Sequence, residues 1–167
     1  MVKGKNPRPL LDAEYVALAE FRYQVRRFLR HMEDEVRTIG VNPQQYQTVL
    51  AIKGLPRDQV PTISCLADRM QLNHNSMVEL VDRCEQNGLL RRVRSGSDRR
   101  QVTLAISAEG DALLKRLGAA ARQELRNIGP MLVDSVLRLT HEGRRSKPGS
   151  NHGRGKVVPR VTKKAGS

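Results

Sequence analysis

Apolar residues recur at steps of three and four from Leu10 to Ile39, through Leu18, Phe21, Val25, Phe28, Leu29, Met32 and Val36. That spacing predicts a long amphipathic helix, which Gly40 ends. In "VNPQQYQTVLAI", Asn42 is placed to cap a second helix, Pro43 suits its first position, and Tyr46, Val49, Leu50 and Ile52 form its apolar side. "KGLPRDQVP" breaks it. Thr62 caps a short third helix with Ile63, Leu66, Ala67 and Met70 inward, and Gln71-Leu72-Asn73 turns into a fourth. There Met77, Leu80, Val81 and Cys84 share one face, Asn75, Ser76, Glu79 and Arg83 the other, and Gly88 stops the helix.

The period then falls from 3.6 to 2. Val102, Leu104 and Ile106 alternate with Gln101, Thr103 and Ala105, and "LLRRVR" precedes them across Ser95-Gly96-Ser97, predicting a basic β-hairpin. Ser107 caps a further helix carrying Leu113, Leu114, Leu117, Ala121 and Leu125. Gly129-Pro130 is expected to separate it from a last amphipathic piece with Met131, Leu132, Val136, Leu137 and Leu139. The fold class is therefore mainly α with a small β-hairpin (α+β). Its parts are an arm at 1–9, a long helix at 10–40, a helical lobe with its hairpin at 41–106, C-terminal helices at 107–142, and a tail at 143–167.

Charge gives this order of elements a meaning. The chain of 167 residues carries a formal charge of +13, and such an excess is most often an electrostatic footprint for phosphates. Arg144, Arg145, Lys147, Arg154, Lys156, Arg160, Lys163 and Lys164 stand in the tail without an acid among them, so it is read as a disordered basic segment. A short helix, a tight turn, a helix with a polar outer face and a basic hairpin make a winged helix-turn-helix, since the major groove of B-DNA admits one helix whose N-terminal side chains reach base edges. Ala67 suits a close crossing of the two helices, while Met77 and Leu80 fill the joint beneath the second.

Three stretches, "VNPQQYQTVLAI", "PTISCLADRMQLNHNSMVELVDRCEQNGLLRR" and "DRRQVTLAISAEG", resemble the pattern of the MarR family of transcription regulators, from about Val41 to Gly110. The resemblance implies a homodimer built from the first helix and the last two, bound to double-stranded DNA at a pseudo-palindromic operator and usually acting as a repressor. It also implies release by a small anionic or phenolic effector, or by thiol oxidation. The candidate DNA contacts are Thr62, His74, Asn75, Ser76 and Glu79, with Arg94, Asp98, Arg99 and Arg100 from the wing. Arg100 is expected in the minor groove, its pose fixed by Asp98. Glu79 stands where many relatives carry arginine, so it either accepts from a cytosine amino group or turns to solvent. Tyr23, Arg27 and Tyr46 are the candidate effector residues.

Other chemistries find little support. The cysteines Cys65 and Cys84 form no C-x-x-C and are read as reduced and structural, with Cys65 the more exposed. No histidine pair has ligand spacing, so no metal or cofactor is expected. No apolar run is long enough for a signal h-region or membrane span, which points to the cytoplasm, and no activated nucleophile or phosphate-cradling loop marks an enzyme. Arg91, Arg92 and Arg94 on the first strand are expected to face phosphates or solvent. The alternative function is an architectural or RNA-associated basic protein without sequence readout.

Overall fold

The computed structural model describes residues 8–94 and 102–140. Its order is α1 (Asp12–Thr38), α2 (Pro43–Lys53), α3 (Ile63–Met70), α4 (His74–Gln86), β1 (Leu90–Arg94), β2 (Val102–Ile106) and α5 (Ala108–Thr140). Local chemistry sets the starts. The Asn42 side chain accepts from the Gln44 amide at 2.9 Å with Pro43 opening α2, and the Ser107 hydroxyl accepts from the Gly110 amide at 3.0 Å at the head of α5. Gly40 and Gly88 close α1 and α4 at φ of +76° and +68°.

One core gathers the lobe. Leu66, Met77, Leu80, Val81 and Cys84 of the helix-turn-helix meet Val49 of α2, Val36 of α1, Leu104 of β2 and Leu117 of α5, all almost fully buried. β1 and β2 form an antiparallel ladder from Leu90 opposite Ile106 to Arg94 opposite Val102. The Leu104 amide, on the outer edge of that ladder, donates to the Pro61 carbonyl at 2.8 Å, which ties the hairpin to the head of α3. α1 and α5 pack side by side along much of their length, with Met32 and Ile128 buried on their respective helices.

Two expectations need correction. Gly129-Pro130 does not divide the C-terminal region, because α5 runs unbroken for 33 residues with Pro130 inside it. Proline removes one amide and crowds the preceding turn, but Ile128 and Ser135 on either side are buried, and that packing carries the helix through. On α2, Leu50 is 46% exposed while Gln45 and Thr48 are buried with Tyr46 and Val49. The polar pair is tolerated because its hydrogen bonds are made: Gln45 accepts from the Asn87 amide group at 3.1 Å, and Thr48 donates to the Gln44 carbonyl at 2.8 Å. Among the described residues no helix is long and apolar enough to cross a membrane.

Candidate nucleic-acid interface

The turn before α4 aims its first residues outward. Gln71 adopts φ +55° in the left-handed region, and the Leu72 amide returns to the Ala67 carbonyl at 2.9 Å, so the chain reverses in three residues. Ala67 is 5% exposed at this crossing, which leaves room for the approach of the two helices. Asn73 then caps α4, its side chain accepting from the Ser76 amide at 2.8 Å.

His74, Asn75, Ser76 and Glu79 converge with Asn73 on one shallow concavity of about 410 Å3. Met77, Leu80, Val81 and Cys84 are at most 1% exposed beneath them, so a rigid helix presents these polar groups. Thr62 stands apart from that concavity, and its hydroxyl oxygen accepts from the Cys65 amide at 3.2 Å as the cap of α3.

The wing flanks this face. Along β1, Arg92 and Arg94 lie on one side of the ribbon and Arg91 on the other. Arg91 and Arg94 are exposed. Arg92 is turned onto α4 rather than outward, which departs from the expectation for it: its guanidinium binds Asp82 and Glu85, and its backbone amide donates to Glu85 at 2.9 Å. The Arg92 amide and guanidinium hold the Glu85 carboxyl below its usual range. Asp98, Arg99 and Arg100 lie outside the described residues, as does the basic tail.

The three candidate effector residues are not brought together. Tyr23 is 54% exposed on an open face of α1, and Arg27 beside it approaches Glu124 of α5 at 3.5 Å. Tyr46 is buried on a separate groove of about 570 Å3 bounded by α1, α2 and α5. Leu29 and Glu33 form the rim common to the two concavities. Gln47 and Gly118 also line the groove and were missed in the sequence; a glycine within a helical run, away from either end, was the available signal.

A tight joint links the interface to α5. The Ser107 amide donates to the Leu89 carbonyl at 3.2 Å, and its hydroxyl donates to the Gly88 carbonyl at 2.5 Å. A Cβ on Gly110 would sit 2.2 Å from that same Leu89 oxygen, so only glycine lets α5 begin so close to the end of α4.

The MarR family model matches residues 39–101, the span from just after α1 to the residue before β2. That span is similar to a MarR-family domain. Among curated relatives, YsmB of Bacillus subtilis (strain 168), described as an uncharacterized HTH-type transcriptional regulator, is 28% identical over 92 residues, covering 50% of this chain and 63% of the relative. The chain thus spans just under two thirds of YsmB. PecS of Dickeya dadantii (strain 3937), an HTH-type transcriptional regulator, is 25% identical over 114 residues, covering 68% of this chain and 69% of PecS.

Solved structures share the winged-helix fold. A MarR family protein from Bacillus stearothermophilus superposes with a TM-score of 0.61 at 20% identity, over 77% of this chain and 94% of that one. The S. aureus MepR–DNA complex gives 0.56 at 14% identity, over 74% and 86%. At these identities the likeness is one of fold.

Proposed function

We propose that this protein is a sequence-specific, double-stranded DNA-binding transcription regulator of the MarR kind. In this reading it is a cytoplasmic homodimeric repressor that leaves its pseudo-palindromic operator when a small ligand binds. The observation that carries the reading is the polar head of α4, where His74, Asn75, Ser76 and Glu79 are held outward on a buried helix beside a basic hairpin. Short polar side chains in that position suit base edges, whereas a pure backbone binder would place lysine or arginine there. Arg94, Arg99 and Arg100 supply the charge that positions the duplex, with Asp98 orienting Arg100.

The dimer is supported by apolar surface on the two long helices. Leu11, Tyr15 and Val16 of the α1 end, and Val133, Val136 and Leu137 of α5, are each 40% exposed or more. Clustered apolar exposure of this kind marks an association surface.

Selection of bound fragments from the organism's own genome, followed by gel-shift titration at physiological salt, tests the reading. A preference of about 1,000-fold or more over random DNA is expected, with Asn75→Ala lowering that ratio about tenfold and Arg100→Ala weakening binding severely. Sedimentation should give twice the 18.8 kDa chain mass. Equal affinity for all sequences would overturn it in favour of an architectural or RNA-associated protein.

A further inference from the structure

The outward face of α1 changes character along its length. Leu11, Tyr15 and Val16 expose apolar surface at its start. Arg22, Arg26 and Arg30 then follow at intervals of four, and residues 21–32 hold four arginines without an acid among them. All four are exposed, and Tyr23, 54% exposed, stands in their midst. Arg22, Arg26 and Arg30 form no hydrogen bond or ion pair with a described residue. The acids of the next turn leave them free, since Glu33 and Asp34 are both taken by Arg37, at 3.0 and 3.1 Å.

A face kept only for solubility mixes its signs, and like charges four apart on a helix repel one another. α1 stacks them instead. Arginine rather than lysine at every position points to phosphate, because the planar guanidinium pairs bidentately with phosphate oxygens. The charge is also displaced from the lobe proposed to read DNA. Residues 41–94 and 102–106 carry seven lysines and arginines against five acids, and Arg92 among them is committed to Asp82 and Glu85.

The length of the row selects its partner. Arg22 to Arg30 spans about 12 Å of helix, over which one strand of B-DNA presents about three or four phosphates. The concavity on this face, about 740 Å3, is lined among the described residues by α1 alone. One helix does not enclose a small molecule, whereas an open row of guanidinium groups suits the side of a rod-like polyanion. This concavity shares no described residue with the one on α4.

We propose that the face of α1 bearing Arg22, Tyr23, Arg26 and Arg30 is a second duplex-binding surface, which grips the phosphate backbone without reading sequence, so that one molecule holds two DNA segments at once. Arg27, which approaches Glu124 at 3.5 Å, flanks the row, and the Tyr23 hydroxyl adds a donor for phosphate. Binding on α1 stands apart from the function proposed above; only the joining of a preferred site to a second segment rests on it.

The test uses the full chain, tail included. Anisotropy titration of a labelled random-sequence duplex of about 20 base pairs, at salt from about 50 to 200 mM, gives the slope of log affinity on log salt. A bead-bound duplex carrying the protein is then offered a second, labelled duplex. Two charge-matched variants are compared: Arg22→Gln, Arg26→Gln and Arg30→Gln together, and Arg116→Gln, Arg122→Gln and Arg126→Gln together, the latter three being exposed on α5. Glutamine keeps helix propensity, and relief of repulsion should hold the melting temperature of the α1 variant at or above that of the unmodified chain. The α1 variant is expected to reduce the slope by about 2 to 3 and second-duplex capture by about fivefold or more. The single reversal Arg26→Glu should lower capture in the same direction, while the α5 variant should change the slope by less than about 1 and keep capture. Equal losses in the two triple variants, or an unchanged slope in the α1 variant, would overturn the proposal. Polyglutamate that competes for the α1-dependent binding better than unlabelled duplex at matched charge would assign the face to an acidic protein. Benzoate at about 10 mM doing so at constant ionic strength would assign it to a small anion, and either result overturns the proposal. If no preferred DNA exists, the functional reading fails while the α1 result stands; if a preference exists and the α1 variant captures normally, the reverse holds.

Discussion

The backbone amide of Arg92 donates to one carboxylate oxygen of Glu85 at 2.9 Å, while the Arg92 guanidinium donates to the other and to Asp82. One side chain of the wing thus bridges two carboxylates one turn apart on α4 and fixes the angle between hairpin and helix. Arg92→Ala is expected to lower DNA affinity about tenfold and melting temperature by a few degrees, the scale of a broken charge-assisted pair. Glu85→Gln should reproduce much of the affinity loss in the same gel shift, because Arg92 acts through it. If Glu85→Gln binds normally, Arg92 contacts DNA itself.

Acid should undo the ion pairs of two carboxylates. Arg92 holds Glu85 below its ordinary range, and Lys53 with Lys115 holds Asp111 at about 2. A carboxyl whose folded pKa is depressed contributes in full above its unfolded value, near 4, and loses that contribution as pH falls through the folded one. Melting temperature is therefore expected to be flat from about pH 5 to 8 and to fall between about 4 and 2. Asp111→Asn should flatten part of that fall.

Two glycines of α5 should respond in opposite directions to the same change. Gly110→Ala puts a methyl against the Leu89 carbonyl and Ile106 Cγ2, and such overpacking costs about 1–3 kcal/mol. Gly118→Ala meets open space and should gain about 0.5–1 kcal/mol from helix propensity. Urea unfolding of both variants reads the contrast; equal changes would contradict the joint at Gly110.

The thiols should separate by reactivity. Cys84 is fully buried and burial pushes its pKa up to about 11, whereas Cys65 is half-buried with Sγ 3.8 Å from Gln59 Oε1. Titration of the native chain with a disulfide reagent at pH 8 should modify Cys65 rapidly and Cys84 only on unfolding. Fast reaction of both would show that α4 opens readily.

Much of this was legible because local chemistry decides it. The step from period 3.6 to period 2 located the hairpin, and Asn42, Thr62 and Ser107 cap the helices that follow them. Tertiary packing decided the rest. Pro130 reads as a break until Ile128 and Ser135 are seen buried around it. Tyr23 and Phe28 are five positions apart, about 140° around a helix, so the tyrosine faces away from the groove that the phenylalanine lines. Arg92 looked like one more surface cation because Asp82 and Glu85 reach it only once the wing folds back.

The seating of α5 at Gly110 also makes that helix a lever. Its 33 residues reach about 50 Å, so a 1 Å movement at the distal end corresponds to a rotation of only about 1° at the joint. Run the other way, about 5° at the joint sweeps the distal end through roughly 4 Å, more than one base-pair rise of B-DNA. In two copies joined along their distal ends, small changes of tilt would set whether both recognition helices keep step with one duplex.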